Sequence, residues 1–142
     1  MAAPYEFMLQ PRWGDMDALG HVNNTRYLDY AQEARIAFFV ERLGAVARTP
    51  LVVGRQEVDY LRPLVFRNQP VVVQVSVEAL GNRSFTLLHT VREPEPDGPT
   101  YAKVSAVLVG FNPEAGGSAP LREDERAALR ALLPESEMVR TG

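Results

Sequence analysis

Hydrophobic and polar residues alternate along most of the second half of the chain, and this pattern predicts four β-strands. The alternation is clean over residues 71–80 and 83–92, which is typical of strands with one buried face. The intervening Gly81-Asn82 pair is typical of a tight hairpin turn. Residues 51–61 and 100–111 carry similar patterns. The side chains expected on the buried faces are Val52, Val58 and Tyr60 in the first strand, Val71, Val73, Val75, Val77 and Ala79 in the second, and Phe85, Leu87, His89 and Val91 in the third.

The first half of the chain predicts one short strand, a loop and a long helix. Residues 5–13 have strand character interrupted by Pro11, which cannot donate to a ladder and so indicates an edge strand or a bulge. The turn-rich loop 14–24 follows, and residues 25–43 then show helical spacing. Gly44 stands where a glycine often ends a helix. The apolar stripe of this helix consists of Tyr27, Tyr30, Ala31, Ala34, Ala37 and Phe38.

The order of these elements indicates an α+β fold. Consecutive strands without helices between them favour an antiparallel sheet, with the long helix packed on one face. The sequence predicts one domain over residues 1–142, with its core at about 5–112. The C-terminal part, 113–142, is expected to hold a short helix over 122–133 and nine loose terminal residues. Because one helix covers only one side of such a sheet, the pattern also favours dimerisation.

Composition removes several classes of function. The 142 residues are 46% hydrophobic and 23% charged, which is typical of a globular domain. The net charge of −3 argues against nucleic acid as a partner, and no apolar run is long enough to span a membrane. The absence of cysteine excludes a thiol nucleophile, and two histidines make a protein-built zinc site unexpected. The N-terminus does not resemble a secretory signal, which favours the cytoplasm.

Reactive side chains concentrate in the loop that leads into the long helix. They are Arg12, Asp15, Asp17, His21, Asn23 and Asn24. Free backbone N–H groups and the positive end of the helix dipole are expected at this point. A carboxylate there has two uses that the residues alone leave open. It can cap the helix or close a turn, or it can face a substrate carbonyl whose negative charge the N–H groups stabilise.

Fewer candidate functional residues stand outside this loop than within it. His89 stands on the apolar face of a strand, which favours a hydrogen-bonded core histidine. Arg62, Arg67, Arg83 and Arg92 stand at strand ends and are interpreted mainly as solvated charges. Arg83, directly after a tight turn, could also hold a phosphate through two hydrogen bonds.

Three segments resemble one protein family. The segment from Trp13 to Arg35, WGDMDALGHVNNTRYLDYAQEAR, resembles the signature of the 4-hydroxybenzoyl-CoA thioesterase-like group of hotdog-fold acyl-CoA thioesterases. Residues 58–63 (VDYLRP) and 80–85 (LGNRSF) look like the second-strand ending and the hairpin between strands three and four in that family. The resemblance implies a five-stranded antiparallel sheet of order 1-3-4-5-2 wrapped around one long helix. It also implies a homodimer or homotetramer with sites at the subunit interface.

The resemblance implies a set of site residues for acyl-CoA hydrolysis. Asp17 would be the catalytic carboxylate, acting as nucleophile or as general base, while Asp15 is expected to form a turn. Backbone N–H groups near the helix start would polarise the thioester carbonyl, and either asparagine could cap the helix. The supporting loop residues are Gly20, His21, Val22, Asn23 and Asn24, and the residues expected to bind substrate or coenzyme A are Tyr27, Tyr60, Arg83 and Ser84. No cofactor or metal is expected, because a thioester is already activated.

Two other functions fit the same pattern. The protein could bind acyl-CoA without turning it over, or it could be a hotdog enoyl-CoA hydratase or dehydratase. The second alternative would use a histidine for proton transfer, and His21 stands four residues after Asp17.

Overall fold

A curved antiparallel sheet carries one long helix on its inner face. The computed structural model of the chain describes residues 3–134. Its strands are β1 (Tyr5–Leu9), β2 (Leu51–Tyr60), β3 (Val71–Leu80), β4 (Ser84–Arg92), β5 (Thr100–Asn112) and the short β6 (Gly117–Ser118), and its α-helices are α1 (Arg26–Phe38) and α2 (Glu123–Arg130). The strand order is β1-β3-β4-β5-β2, with β6 paired to the end of β5. The α+β class and the order 1-3-4-5-2 are therefore confirmed, and β6 is an addition.

The core lies between α1 and the inner face of the sheet. α1 packs on β3 and β1 and also contacts β4 and β5. The predicted stripe is buried apart from Ala37, which is half-buried. All four side chains predicted for the inner face of β4 are buried too. The predictions agree with the structure because every third or fourth side chain of a helix, and every second side chain of a strand, lies on the same face.

Two β-bulges move side chains away from the faces that simple alternation predicts. The register shifts between Val53 and Arg55 in β2, so Val52 points to the opposite face from Val58 and Tyr60. A second shift, between Val77 and Ala79, leaves Ala79 exposed and turns Leu80 into the core. Both predictions were wrong for the same reason: one extra residue in a strand reverses every later side chain.

The ends of several elements differ from the predicted ones. β1 stops at Leu9, before the proline that was expected to interrupt it. α1 continues as a π-helical turn over Phe39–Leu43, and Gly44 follows with φ of 54°, as a helix-ending glycine does. α2 is shorter than predicted and buries Leu129, while Leu133 beyond it is also buried. The nine terminal residues predicted to be loose lie outside the described residues, apart from Pro134.

Within residues 3–134, no helix is both long and apolar enough to cross a membrane. The cytoplasmic location stays a prediction.

A buried histidine and a buried arginine meet beneath α1. His89 is fully buried, and its Nδ1–H donates to the Val104 carbonyl oxygen at 2.8 Å. Because that oxygen can only accept, Nε2 carries the lone pair, and it lies 3.5 Å from Nη1 of Arg35. Arg35 is only 4% exposed and forms no ion pair with a carboxylate among the described residues. The helical stripe did not predict this arginine, because sequence period alone suggested a polar position.

We expect the stability of the wild-type protein to fall between pH 7 and pH 5, and His89→Gln to reduce that fall. Burial, together with the nearby Arg35 charge, lowers the pKa of His89 to about 4, against a smaller opposite effect of the hydrogen bond to Val104. Below pH 6.5, the ordinary pKa of histidine, the unfolded chain therefore binds a proton at His89, whereas the folded chain does not. The loss by pH 5 is about 2 kcal/mol and continues down to the folded pKa.

Urea unfolding at both pH values measures this difference. The buried carboxyl groups are the same in both proteins, so the difference between the two pH dependences isolates the histidine. An unchanged pH dependence in His89→Gln would contradict the assignment.

β2 is an open edge of the sheet. It ends the strand order, and eight of its ten residues are exposed. Val52 and Val53 are 41% and 46% exposed, and Tyr60 is 52% exposed. An edge strand of this length and polarity is free to pair with another strand.

Candidate active site

The loop before α1 folds into a small hairpin that is fastened to the segment after β2. Met16 and Val22 form an isolated antiparallel bridge, and Asp17 N–H donates to the His21 carbonyl at 2.7 Å. Gly20 turns the chain with φ of 78°, a backbone conformation that glycine adopts without strain. The Val22 N–H donates to the Leu64 carbonyl at 2.9 Å. The hairpin is therefore held from outside as well as within.

Asp17 occupies the tip of this hairpin. Its Oδ1 accepts hydrogen bonds from the backbone N–H groups of Leu19 and His21, at 2.9 and 3.1 Å. Its Oδ2 accepts no hydrogen bond from the described residues, and the side chain is exposed. One carboxylate oxygen is thus fixed in position while the other is available to a ligand.

Asp15 has the opposite environment. It is 1% exposed, and its Oδ2 accepts hydrogen bonds from the Tyr30 hydroxyl at 2.6 Å and the Arg12 N–H at 3.0 Å. Arg12 also forms an ion pair with Oδ1 at 3.2 Å. Burial alone would raise the pKa of this carboxyl, but the hydrogen bonds from Tyr30 and Arg12 hold it below the ordinary value. The two aspartates are two residues apart, yet only Asp17 can meet a substrate.

A cleft of about 250 Å³ opens beside Asp17. Its lining combines the loop, the start of α1 and the end of β2, and consists of Asp17, His21, Val22, Asn24, Tyr27, Tyr60, Leu61, Arg62 and Pro63. The rings of Tyr27 and Tyr60 pack edge to face with centroids 5.6 Å apart. The Tyr60 hydroxyl donates to the Asn24 carbonyl at 3.0 Å, which ties the end of β2 to the start of the helix. Burial raises the pKa of Tyr27, and a hydrogen bond with the Leu64 backbone opposes that shift.

Most of the N–H groups predicted to polarise a carbonyl are already occupied. The N–H of His21 donates to Asp17 Oδ1, that of Val22 to Leu64, and that of Asn23 to the Asp15 carbonyl at 2.9 Å. Gly20 N–H closes the turn on the Asp17 carbonyl. The hairpin therefore uses these N–H groups to hold its own shape, and a role for them in polarising a carbonyl stays a prediction. Asn24 N–H has no acceptor among residues 3–134 and is the donor that stays available.

The two asparagines do not cap α1 as predicted. The N-cap residue is Thr25, whose side chain makes no capping hydrogen bond. Asn23, two residues before the N-cap, instead supports this end of the helix. Its Oδ1 accepts hydrogen bonds from the N–H and the Oγ1 hydroxyl of Thr25, both at 3.1 Å. The side chain of Asn24 forms no hydrogen bond within the described chain.

We expect Asn23→Ala to destabilise the protein by about 1 kcal/mol, because it removes the acceptor for two hydrogen bonds that Thr25 donates at the start of α1. Asn24→Ala is the matched control and should change stability much less, since only a backbone group of Asn24 is engaged. Thermal unfolding of both variants measures the difference. Equal losses would show that Asn23 does not hold the start of the helix.

Arg83 and Ser84 lie at the other end of the sheet. Ser84 is opposite Val109 on β5, whereas Tyr60 is opposite Ala102. Seven positions along a strand separate them by roughly 23 Å. Arg83 Nη1 donates to Ser118 at 3.1 Å. One copy of the chain therefore does not bring these two residues to the Asp17 cleft.

One charged residue of the cleft was not predicted from the sequence. Arg62 lines it and forms no ion pair among the described residues, although it was interpreted as a solvated strand-end charge. The signal was present, because Arg62 lies within the segment 58–63 (VDYLRP) that resembles the family. Within the part of the chain described, no group of three or more histidine, cysteine or acidic side chains could hold a metal ion.

The sheet wrapped on one helix, with a carboxylate cleft at the helix start, defines the hotdog class of α+β enzymes. The family model of the thioesterase-like superfamily matches residues 11–129. The chain belongs to this superfamily, and it is a thioester hydrolase, as the sequence predicted.

The chain is similar to two solved thioesterase structures and to one curated protein whose name states no activity. A thioesterase from Thermus thermophilus, complexed with coenzyme A and Zn, is 37% identical, with a TM-score of 0.76 over 92% of this chain and 95% of that one. A structure described as a predicted thioesterase from Bacillus stearothermophilus is 29% identical, with a TM-score of 0.81 over 93% and 98%. The uncharacterized protein YsmA of Bacillus subtilis is 29% identical over 120 residues, covering 83% of this chain and 80% of its own length.

Proposed function

We propose that the protein hydrolyses acyl-CoA thioesters in the cleft beside Asp17. The observation that carries the proposal is the geometry of this carboxylate: one oxygen is fixed by loop amides, and the other is free in a cleft at the start of a helix. The similarity to a thioesterase complexed with coenzyme A supports a substrate derived from coenzyme A.

The reaction needs two contributions from the chain. Asn24 N–H donates to the thioester oxygen and stabilises its negative charge, which is typically a contribution of about 10²–10³ in rate. Asp17 Oδ2 either takes a proton from a water that attacks the carbonyl carbon, or attacks that carbon itself to form an anhydride that water then cleaves. In both routes the carbon–sulfur bond breaks and coenzyme A leaves as the thiol. Neither route requires a metal or a cofactor.

The substrate site is completed by a second copy of the chain. The exposed edge of β2 supports a two-fold dimer in which β2 pairs antiparallel with its copy. Antiparallel pairing places the end of one β2 beside the beginning of the other, and Arg83 and Ser84 lie at the latter end of the sheet. A dimer of this kind would bring the Arg83 guanidinium of the partner subunit to the side of the sheet that holds the cleft, where it would serve to bind a coenzyme A phosphate.

Release of free thiol from a panel of short, long and aromatic acyl-CoAs tests the activity. We expect turnover of at least one of them. Binding without thiol release by the wild-type protein would favour a non-catalytic acyl-CoA-binding module. Because His21 lines the same cleft as Asp17, the panel includes an enoyl-CoA, and formation of a 3-hydroxyacyl product would favour the hydratase alternative.

A further inference from the structure

The cleft beside Asp17 contains a positively charged side chain that no part of residues 3–134 neutralises. Arg62 lines the cleft and is exposed, and its guanidinium forms neither an ion pair nor a hydrogen bond with those residues. Most other arginines of the described chain contact a carboxylate, a carbonyl oxygen, His89 or an aromatic ring. Arg62 is therefore available to an anionic group of a ligand.

The backbone holds Arg62 at this wall of the cleft. Its N–H donates to the Tyr101 carbonyl at 3.1 Å. Pro63 follows, and a proline restricts the backbone of the residue before it. Leu64, two residues after Arg62, is only 1% exposed and anchors the segment in the core. The beginning of the side chain is thus fixed, while the guanidinium is free to meet a ligand.

Two carboxylates stand near Arg62, and neither forms an ion pair with it. Glu93 accepts a hydrogen bond from the Tyr101 hydroxyl and is already paired with Arg67. Asp17 lines the same cleft as Arg62, but the two side chains are not in contact. The cleft therefore presents an anion and a cation separately, so that each can meet a different part of one ligand.

The size of the cleft indicates which anionic group of an acyl-CoA can reach Arg62. A volume of about 250 Å³ holds about eight non-hydrogen atoms at roughly 30 Å³ each. The first phosphate of coenzyme A is about thirteen bonds from the sulfur, which is roughly 15 Å in an extended chain. When the thioester is held at Asp17, this phosphate lies outside the cleft. A carboxylate at the far end of a short acyl group lies within it.

We propose that Arg62 binds a carboxylate at the far end of the acyl group, so that the preferred substrates are short dicarboxylic acids joined to coenzyme A through one thioester. The inference rests on the proposed thioesterase function and adds its substrate class. A glutaryl group has about the number of atoms that the cleft holds.

Each part of such a substrate has a partner in the cleft. The thioester carbonyl lies between Asp17 and the Asn24 N–H. The methylene groups pack on the rings of Tyr27 and Tyr60, which are 5.6 Å apart. The carboxylate accepts two parallel hydrogen bonds from the planar guanidinium of Arg62. Hydrolysis then breaks the carbon–sulfur bond and releases coenzyme A and a free dicarboxylic acid.

Two substrates of equal chain length test the proposal. Glutaryl-CoA carries the terminal carboxylate and pentanoyl-CoA does not, and release of free thiol is measured for both. We expect the wild-type protein to have the higher kcat/KM for glutaryl-CoA. Arg62→Gln should lower that value by about 10–10²-fold, the usual effect of losing a hydrogen bond to a charged group, and change the value for pentanoyl-CoA less than about twofold. Arg62→Lys keeps the charge but not the paired hydrogen bonds, so its loss should be intermediate.

Lys103→Gln is the matched control for charge. Lys103 is exposed on the outer face of the sheet, opposite Asp59, and does not line the cleft. Its substitution removes one positive charge, as Arg62→Gln does, and so measures any general attraction of the protein for an anionic substrate. It should leave kcat/KM unchanged for both substrates. The Tm of each variant, measured in parallel, should equal that of the wild type.

Substrates without phosphate distinguish the acyl carboxylate from the phosphates of coenzyme A. The N-acetylcysteamine thioesters of the same two acyl groups contain no phosphate. We expect the preference for the glutaryl group, and its loss in Arg62→Gln, to persist with these substrates. If the preference disappears with the phosphates, or if Arg62→Gln reduces hydrolysis of glutaryl-CoA and pentanoyl-CoA equally, Arg62 binds the coenzyme A arm and the proposal is overturned.

The outcomes separate this proposal from the proposed function. If the wild-type protein hydrolyses pentanoyl-CoA and the terminal carboxylate brings no advantage, only the dicarboxylate proposal fails. If no acyl-CoA releases thiol, the thioesterase function fails. Calorimetric binding of glutaryl-CoA and pentanoyl-CoA then still tests Arg62, and equal affinities for the two would overturn its assignment.

Discussion

Asp17→Asn should lower kcat by about 10²–10⁴-fold, the usual contribution of a positioned acid or base, and leave the fold unchanged. The amide oxygen of asparagine can still accept the hydrogen bonds that Leu19 and His21 donate to Asp17 Oδ1, so the hairpin is preserved. What the variant loses is the free Oδ2, the only basic atom offered by this side chain to the cleft. Initial rates of thiol release, with Tm measured in parallel, test both statements.

Asp97→Asn provides the matched control for this experiment. Asp97 is exposed in the turn between β4 and β5 and is not among the cleft residues. Its substitution should change neither rate nor Tm. An Asp17→Asn protein with full activity and an unchanged Tm would remove Asp17 from the mechanism, whatever the substrate.

Asp15→Asn, unlike Asp17→Asn, should cause a large loss of stability. Asparagine would direct an N–H group at donors that now serve Asp15, the Tyr30 hydroxyl and the Arg12 amide. Leaving buried hydrogen-bonding groups without a partner costs about 1–3 kcal/mol, which lowers Tm by roughly 3–10 °C for a domain of this size. Calorimetry or urea unfolding measures the loss.

Acid should reduce the difference between Asp15→Asn and the wild type. The pKa of Asp15 is lower in the folded chain than its ordinary value of 3.8, so its contribution is complete above that value and disappears as the pH falls through the folded pKa. Asp29→Asn is the control: its ion pair with Arg26 is exposed and should contribute less than about 1 kcal/mol. Equal stability losses in the two variants would contradict a structural role for Asp15.

Local chemistry accounts for the parts of the fold that could be predicted. Strands β3 and β4 and helix α1 follow from hydrophobic period, and the helix-ending Gly44 follows from backbone freedom. Hydrophobic periodicity predicts the wrong face where a bulge inserts one residue, as at Ala79. The insertion depends on how neighbouring strands fit together. Periodicity also did not predict the burial of Arg35, since the burial of a charged side chain is decided by its partner in another element, here His89.

The candidate site could likewise be predicted only in part from the sequence. The resemblance of residues 13–35 pointed to Asp17, and composition showed that the loop is rich in polar groups. Neither could distinguish which carboxylate is buried, because Asp15 and Asp17 differ only in what the folded chain places around them. Nor could they show which N–H groups are consumed by the hairpin.

By itself, the sequence determined the class of the fold, the order of its elements and the loop in which the chemistry lies, because these depend on periods and residue types along the chain. Only the tertiary structure decided that Asn24 keeps its N–H free, that Arg62 joins the cleft, and that Arg83 lies at the opposite end of the sheet. Those facts depend on distances between residues far apart in sequence, and such distances are set when the sheet curves around the helix.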